Sequence, residues 1–309
     1  MEKNFLLIFQ KPELYFFPHY KDFVYAPYNM KEKTPLYYFY RGMNMLKFPC
    51  SSFFWGDWKK HITSLKKIII FDFGYQNCME RYIKKINPDC EVFLFCWNKI
   101  DKYHNSNFKF SFKSNIYSTD KGDCEKYNLK YNHIFYPIDI HEKWNPKLYN
   151  NLYFIGADKG RAETLLKIHK LLKECGLESD IKIFSNNNNP VYLNKYHELL
   201  TDKPINYAEY IQKVRKNGIL LDIVQKGQRA ITMRVLESVV YSKKLITTNM
   251  EVQHFSFYNK NNILLIDDIN NLPTVDSIKA FVAKPFIPYT DEQLYEIGFD
   301  HWLSGFSSH

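Results

Sequence analysis

Short apolar runs rich in β-branched and aromatic residues, separated by stretches with helical spacing, constrain the fold of this chain most strongly. The clearest runs are residues 66–71, 91–97 and 219–224. Continuous apolar runs of this length are typical of strands buried on both faces of a parallel sheet. Residues 162–175 have helical spacing and are followed by Gly176, a common helix stop. The alternation predicts an α/β protein with doubly wound parallel sheets.

The length of 309 residues and a change in character near the middle predict two such units. Residues 1–63 are aromatic, irregular and rich in turn signals, whereas the second half alternates regularly. A polar segment, residues 138–150, separates the halves. We therefore expect two Rossmann-like domains with a cleft between them, the first spanning residues 1–145. Further strands are expected at residues 116–118, 134–136, 152–155, 181–184, 245–248 and 263–266, and capping boxes at Asn206–Glu209 and Thr290–Gln293.

Composition excludes several classes of protein. Hydrophobic residues make up 45% and charged residues 24%, which argues against intrinsic disorder. No apolar run is long enough to span a bilayer, and residues 5–9 are too short for a signal peptide, so we expect a cytoplasmic protein. The six cysteines form no C-x-x-C pair, which favours reduced thiols over a zinc site or a disulfide framework. The net charge of +9 suits an anionic partner such as a nucleotide, a nucleic acid or a membrane surface.

Two loops of the second half follow predicted strands, where ligands bind in open α/β sheets. The first, residues 156–161, holds Gly156, Lys159 and Arg161 at a helix N-terminus, whose amide groups attract anions. It predicts a diphosphate contact, and the alternative is a solvated turn with its basic residues in water.

The second loop, residues 225–232, joins the most apolar strand to a helix. A phosphate on its amides would have Arg234 as a charge partner, and Glu237, three residues further on, could accept from ribose hydroxyls. The alternative is an exposed Arg234–Glu237 ion pair of little energetic weight. The predicted donor-site residues of this region are Gly227, Gln228, Arg229, Thr232, Arg234 and Glu237.

Three blocks, residues 153–161, 227–237 and 243–249, resemble the C-terminal domain of bacterial GT-B glycosyltransferases, in particular those of capsule and lipopolysaccharide synthesis. The resemblance implies a nucleotide-sugar-binding domain over residues 146–289 and an acceptor-side domain before it. It also implies that the last helix, within residues 290–309, packs back on the first domain. Asp222 and Glu237 lack the E-x7-E spacing of many retaining members, which leaves the stereochemistry open.

The resemblance further implies transfer of a sugar from a nucleotide-activated donor to a saccharide or lipid-linked saccharide, with no cofactor. The sequence contains no D-x-D triplet of the kind that holds a metal ion in GT-A enzymes. A GT-B site can instead stabilise the leaving diphosphate with helix N-termini and basic side chains, so we expect no metal requirement.

A catalytic base for an inverting transfer would be a carboxylate or a histidine. Asp72 directly follows the first strong strand, and His19 and Asp22 lie in an aromatic loop. The ordinary interpretations are a helix cap for Asp72 and a surface position for His19.

Aromatic residues and lysines are dense in the first 60 residues. They suit an acceptor groove or peripheral contact with an anionic membrane at its inner face, although core packing accounts for most of them.

A dehydrogenase would share the doubly wound fold, and a nucleic-acid-binding protein would share the basic and aromatic composition. A dehydrogenase should show G-x-G-x-x-G after the first strand, which is absent. A nucleic-acid-binding protein should concentrate its charge in a stripe, whereas the lysines here are spread along the chain. A non-catalytic scaffold of the same fold stays open.

Overall fold

The computed structural model describes residues 4–10, 22–30, 33–45, 52–76, 78–100, 115–137, 142–143, 145, 150–225 and 227–307. The chain forms two compact units. One comprises the residues up to His133 together with the segment from Ser304, and the other comprises Ile134–Leu303. Each unit contains one sheet.

The sheet of the first unit is parallel throughout, with the strand order β2-β1-β3-β4-β5-β6 in its described part. Its strands are β1 (Phe5–Ile8), β2 (Val24–Tyr25), β3 (Lys67–Phe71), β4 (Glu91–Cys96), β5 (Ile116–Ser118) and β6 (Lys130–Tyr131). The α-helices among the described residues of this unit are α1 (Pro35–Met45), α2 (Met79–Ile86) and α3 (Lys121–Tyr127).

The second sheet is also parallel, with the strand order β11-β10-β9-β7-β8. Its strands are β7 (Asn151–Ala157), β8 (Glu178–Phe184), β9 (Ile219–Asp222), β10 (Lys244–Thr247) and β11 (Ile263–Leu265). Its helices are α4 (Ala162–Glu174), α5 (Pro190–Tyr196), α6 (Tyr207–Lys216), α7 (Met233–Val240), α8 (Val275–Ala283), α9 (Asp291–Glu296) and α10 (Phe299–Ser304).

In both sheets the first strand in chain order lies between the second and the third. This order is that of a doubly wound sheet, in which the chain reverses direction across the sheet between the first and third strands. The predicted α/β class with two parallel sheets is confirmed. The reversal points lie between β1 and β3 in the first unit and between β7 and β9 in the second.

Strand β1 falls inside the segment that we expected to be irregular, and that expectation was wrong. Leu6 pairs with Ile68 and Ile8 with Ile70, so β1 adds an inner strand beside β3. The side chains of Leu6 and Ile8 are buried in the core of the unit. Four apolar residues carry no periodicity by which a sequence pattern could identify a strand.

Residues 134–136 do not form the expected strand, since Tyr136 makes only a single bridge to Gly298. The expected last helix is divided into α9 and α10 by the same glycine. Both predicted capping boxes are confirmed by their reciprocal hydrogen bonds. Cys78 is disulfide-bonded, which corrects the expectation of reduced thiols for that residue.

The C-terminal segment packs against the sheet of the first unit. The ring of Phe306 packs against Phe93, Phe95 and Tyr117, and Lys67 Nζ donates to the Phe306 carbonyl at 2.6 Å. Trp302 of α10, by contrast, packs on Phe135 in the second unit. The second unit contains the described residues 134–137, 142–143, 145 and 290–303, whereas we expected domain boundaries at 145/146 and 289/290 from the sequence.

Candidate functional site

The two loops singled out in the sequence follow β7 and β9, which are adjacent strands. They therefore lie together at the carboxyl end of the second sheet, at its reversal point. Ligands of doubly wound proteins bind in this position, because the chains on either side of the reversal point diverge and leave a crevice. The topology supports the choice of this region as the candidate site.

In the first turn, residues 156–161, the carboxylate of Asp158 binds two main-chain amides. Asp158 Oδ1 accepts hydrogen bonds from the amides of Arg161 (2.9 Å) and Ala162 (2.7 Å). Gly156 lies inside β7, and Lys159 is exposed with a left-handed φ of 48°. Asp158 therefore takes the amides of Arg161 and Ala162 from the phosphate that we expected there, whereas the next two amides of α4 have no acceptor among the described residues. Direct contact of Gly156, Lys159 and Arg161 with a donor stays a prediction.

Arg161 binds main-chain carbonyl groups. Its Nη1 donates to Ile223 O at 2.7 Å and its Nε to Asp158 O at 3.1 Å, and its Nη2 donates to Ala157 O. These bonds join the chain leaving β7 to the chain leaving β9. Burial and the nearby charge of Arg234 lower the pKa of the Arg161 guanidinium.

The second turn is organised by Thr232, the N-cap of α7. Its Oγ1 accepts from the Val235 amide at 3.4 Å and donates to Asp222 Oδ1 at 2.9 Å. Asp222 is 1% exposed and also accepts from Thr247 at 2.9 Å. The amides of Met233 and Arg234 have no acceptor among the described residues. Two amides at this helix start are therefore open donors, and what distinguishes it from the start of α4 is the buried Arg234 side chain beside it.

Arg234 extends from the first turn of α7 back over β7. Its Nη2 donates to Ile155 O at 2.7 Å, and its Nη1 lies 3.7 Å from Asp222 Oδ1. The side chain is only 14% exposed, and its buried Nε has no hydrogen-bond partner among the described residues. A buried donor without a partner is costly, and a ligand oxygen would remove that cost.

Two guanidinium groups share one aromatic ring at this site. The Cζ atoms of Arg234 and Arg161 lie 4.6 Å and 5.3 Å from the centre of the Phe154 ring. Asp222 and Glu237 lie near the charge of Arg234, and Asp222 and Asp158 lie near that of Arg161. These carboxylates offset the two guanidinium charges, so binding of an anionic ligand would depend on the open amides at the start of α7.

Glu237 is directed into the protein. It is 1% exposed, Tyr207 donates to its Oε1 at 2.9 Å, and Tyr210 donates to its Oε2. Burial raises the pKa of this carboxyl. The alternative of an exposed Arg234–Glu237 pair was wrong, because both side chains are buried. Both Glu237 oxygens that we expected to accept from a ribose are bonded to these tyrosines. The geometry therefore gives Glu237 the role of positioning Arg234.

Sequence reasoning missed the two tyrosines. Tyr207 and Tyr210 are three residues apart in α6, so their hydroxyl groups lie on one face of the helix. That spacing could have indicated that the two hydroxyl groups share one partner residue with two acceptor oxygens. Which residue this is depends on the packing of α6 against α7.

The loop before α7 is a short turn. Gly227 has a φ of 74°, and the Gln228 amide donates to Gln225 O at 3.0 Å. Arg229 is half exposed and its Nε lies 3.1 Å from Glu251 Oε1. Gly227, Gln228 and Arg229 thus lie at the same reversal point as Thr232 and Arg234.

Asp72 occupies the corresponding position of the first sheet. It follows β3 directly, beside β1, and is mostly buried. Asp120, which follows β5, and Asp123 of α3 bind main-chain amides: Asp120 accepts from Asp123 N at 3.1 Å and Asp123 from Ile100 N at 2.6 Å. Asp22 is exposed, and His19 lies outside the described residues. Asp72 is therefore the candidate base that the topology places at a ligand-binding edge.

Within the described part of the chain, no group of three or more His, Cys, Asp or Glu side chains is arranged to hold a metal ion. None of the helices described there has the length and apolar character required to cross a membrane.

No protein-family model matches the sequence, and no curated protein matches it. The structure is similar to the crystal structure of TarM with a TM-score of 0.43 and 10% identity, over 78% of this chain and 55% of TarM. It is similar to the glycotransferase of kitacinnamycin with a TM-score of 0.36 and 8% identity, over 75% of this chain and 70% of that protein. This chain thus spans about half the length of TarM. Similarities at this level leave the function to be argued from the site.

Proposed function

We propose that this chain is a glycosyltransferase whose second unit binds the diphosphate of a nucleotide-activated sugar at the start of α7. The observation that carries the proposal is the pair of open amides, Met233 and Arg234, beside the buried and partly unpartnered Arg234 guanidinium. Amide dipoles and a guanidinium together match the geometry and charge of a phosphate. The resemblance of residues 153–161, 227–237 and 243–249 to GT-B enzymes supports the same function.

These groups would act on the leaving group. As the bond between the sugar and the diphosphate breaks, the electron pair moves onto the diphosphate oxygen. Fixed donors aimed at that oxygen stabilise the developing charge without rearranging during the reaction. The chemistry of this site is therefore that of a transfer in which protein donors take the role of a metal ion, and we propose metal independence on that basis.

In an inverting transfer the acceptor hydroxyl gives its proton to a base while its oxygen attacks the anomeric carbon. We propose Asp72 as that base. The class of acceptor, a saccharide or lipid-linked saccharide in surface polysaccharide synthesis, rests on the sequence resemblance. An enzyme acting on a lipid-linked acceptor would work at the inner face of the cytoplasmic membrane.

The donor site can be tested with a single amide. Met233 is the first residue of α7, where proline is well tolerated because its missing N–H removes no helical bond. Thr232 before it is already extended, with φ −98° and ψ 161°, as a residue before proline prefers. Met233→Pro should therefore remove one phosphate donor and leave the fold intact, and Met233→Ala is the control for loss of the side chain.

The measurement is the shift in melting temperature with UDP, GDP, CMP, dTDP and their sugars, in the presence of EDTA. A ligand that binds only the folded state raises its apparent stability. We expect one nucleotide class to stabilise the wild type and Met233→Ala, and to bind Met233→Pro roughly tenfold more weakly, as the loss of one charge-assisted hydrogen bond requires. Equal binding by Met233→Pro would overturn the donor site, as would stabilisation by none of the nucleotides.

Catalysis is tested separately from binding. Asp72→Asn should abolish sugar transfer and leave nucleotide binding unchanged, and Asp89→Asn, an exposed control in the same unit, should retain both. Nucleotide binding by the wild type with no transfer to any saccharide would favour the non-catalytic alternative. Salt-dependent binding of oligonucleotides in place of nucleotides would favour a nucleic-acid-binding protein.

A further inference from the structure

Hydrogen-bonded tyrosines connect the buried Glu237 carboxylate with the segment at which the second unit begins. Tyr207 donates to Glu237 Oε1 at 2.9 Å. The hydroxyl oxygens of Tyr136 and Tyr207 lie 3.3 Å apart, and those of Tyr136 and Tyr241 lie 3.0 Å apart. We call the following set the tyrosine network: Tyr241, Tyr136 and Tyr207.

The direction of each hydrogen bond in the tyrosine network follows from the single hydrogen of each hydroxyl group. Tyr207 uses its hydrogen for Glu237, so it accepts from Tyr136. Tyr136 has then used its own hydrogen, so it accepts from Tyr241. Every hydroxyl of the network therefore donates toward the carboxylate. Hydrogen bonds aligned in this way polarise one another, which strengthens the last of them and favours the ionised form of Glu237.

The tyrosine network lies in the interior of the second unit. The side chains of Tyr136, Tyr241 and Glu237 are 3%, 0% and 1% exposed. Burial raises the pKa of the Tyr136 and Tyr207 hydroxyl groups, so both keep their protons at neutral pH and can donate them. Burial also raises the pKa of Glu237, and hydrogen bonds from its donors oppose that shift. Loss of one hydroxyl from the network should therefore be felt at Glu237.

At one end, the network is fixed by the main chain at the start of the second unit. Ile134 is the first residue of this unit in chain order. Phe135 packs on Trp302 with ring centres 4.3 Å apart, and the Tyr136 amide donates to Ile297 O at 2.8 Å. The position of the Tyr136 hydroxyl therefore depends on the path that residues 134–136 take as the chain enters the unit.

At the other end, the network reaches the candidate nucleotide site. Burial lowers the pKa of the Arg234 guanidinium, but Tyr210, Asp222 and Glu237 together hold it above its usual value. A Glu237 side chain that is displaced or protonated would take one of these partners away from Arg234. The hydrogen bonds that keep Glu237 ionised and in place thus also hold the guanidinium that we assign to the diphosphate.

We propose that Tyr136 is a positioning residue of the nucleotide site and acts on Arg234 through Tyr207 and Glu237. The path of residues 134–136 thereby regulates how tightly the second unit binds nucleotide. This inference deepens the proposed function and rests on it, because a nucleotide is the ligand whose affinity the network sets.

The test is a double-mutant cycle on nucleotide affinity with Tyr136→Phe, Tyr207→Phe and the double variant. The probe is whichever of UDP, GDP, CMP and dTDP stabilises the wild type, and calorimetric titration gives its Kd. Tyr136→Phe should weaken binding about threefold to tenfold, the range for the loss of one hydrogen bond. Since Tyr207→Phe already interrupts the network, the double variant should bind no more weakly than Tyr207→Phe alone.

The control is Tyr289→Phe, which removes a buried hydroxyl beside Asn262. Asn262 directly precedes β11, so this hydroxyl lies at the opposite edge of the sheet from the nucleotide site. Tyr289→Phe should bind the probe as the wild type does. If Tyr136→Phe fails to fold in urea unfolding, Tyr241→Phe takes its place in the cycle, since it removes the donor to Tyr136 and should show the same non-additivity.

A pH profile separates positioning from packing. Acidification protonates Glu237 and removes its charge from Arg234, so nucleotide affinity should fall. Loss of the Tyr136 hydroxyl raises the pKa of Glu237, so the fall should begin at a higher pH in Tyr136→Phe than in the wild type. Titration of the nucleotide phosphates is common to both proteins and cancels. The charged and titratable groups that face Glu237 are also common to both: Arg234, Asp222, Tyr153, Tyr207 and Tyr210.

The inference is overturned if Tyr136→Phe binds the probe as the wild type does, if the two single losses add in the double variant, or if the two pH profiles coincide. A wild type that binds none of the four nucleotides would overturn the proposed function and this inference with it. A wild type that binds, beside an unaffected Tyr136→Phe, would overturn this inference alone.

Discussion

Thr232 donates its hydroxyl hydrogen to Asp222 Oδ1 at 2.9 Å, so the residue that caps α7 is bonded to the residue that ends β9. Thr247, at the end of β10, donates to the other oxygen of Asp222 at 2.9 Å. One buried carboxylate therefore joins two neighbouring strand ends and a helix start. This arrangement holds the start of α7 in place at the reversal point of the sheet.

Replacement of Thr232 by valine should lower the free energy of unfolding by about 1–2 kcal/mol, because it removes a helix cap and leaves Asp222 Oδ1 without its donor. Thr232→Ser keeps the hydroxyl and should stay within about 0.5 kcal/mol of the wild type. Urea unfolding followed by circular dichroism measures both. Equal stabilities for the valine and serine variants would contradict the role assigned to this hydroxyl.

Asp158 and Tyr192 should be energetically coupled. Asp158 Oδ1 caps α4, and Tyr192 donates to Oδ2 at 2.8 Å. Asp158→Ala should cost about 1–2 kcal/mol and Tyr192→Phe about 1 kcal/mol. The double variant should cost less than the sum of the two single variants, since either single substitution already removes the bond between Tyr192 and Asp158. Additive costs in denaturant unfolding would show that the Tyr192 hydroxyl does not act through Asp158.

Tyr210→Phe should destabilise the second unit by about 1–3 kcal/mol, because it leaves the buried Glu237 carboxylate with one fewer donor. It should also weaken nucleotide binding, since Glu237 and Tyr210 lie beside Arg234 and help to hold its pKa above the usual value against burial. Tyr295→Phe removes an exposed hydroxyl and serves as the control. A stable Tyr210→Phe protein that binds nucleotide as the wild type does would exclude this positioning role.

The buried amine of Lys244 should make the free energy of unfolding depend on pH. Its Nζ donates to Phe281 O, Val282 O and Lys284 O at the end of α8, at 2.7, 3.0 and 2.7 Å. Burial lowers the pKa of this amine to about 8. The unfolded chain keeps the proton up to about pH 10.4, so between pH 8 and 10 the unfolded state binds more protons and the stability contributed by Lys244 rises with pH.

The measurement is the stability difference between the wild type and Lys244→Met at pH 7.5 and pH 9.5. The difference should grow in favour of the wild type, with a limiting slope of about 1.4 kcal/mol per pH unit. Groups that titrate in both proteins, including the buried cysteines, cancel in the comparison. Lys279→Met on the exposed side of α8 should show no change with pH. A constant difference for Lys244→Met would mean that its amine keeps its proton throughout this range.

The features that the sequence predicted correctly are those encoded by neighbouring residues. Runs such as Ile68–Phe71 and Ile219–Leu221 predicted buried parallel strands, and the boxes at Asn206 and Thr290 predicted helix starts, because their interactions span only a few residues. Strand β1 was missed, since a four-residue run becomes a strand only through pairing with β3, some sixty residues away.

The amino-acid order alone determined the α/β class and the position of both loops after buried strands, because strand and helix patterns are local and parallel strands end at one edge of a sheet. Only the tertiary structure decided which side chains lie beside each helix start. Asp158 binds the amides of Arg161 and Ala162 at the start of α4, while Thr232 and Asp222 hold the start of α7 next to the buried Arg234 side chain. The same packing directed Glu237 onto Tyr207, thirty residues earlier, and Arg234 onto Ile155, seventy-nine residues earlier. Contacts at such separations depend on how helices pack on the sheet, which no local pattern encodes.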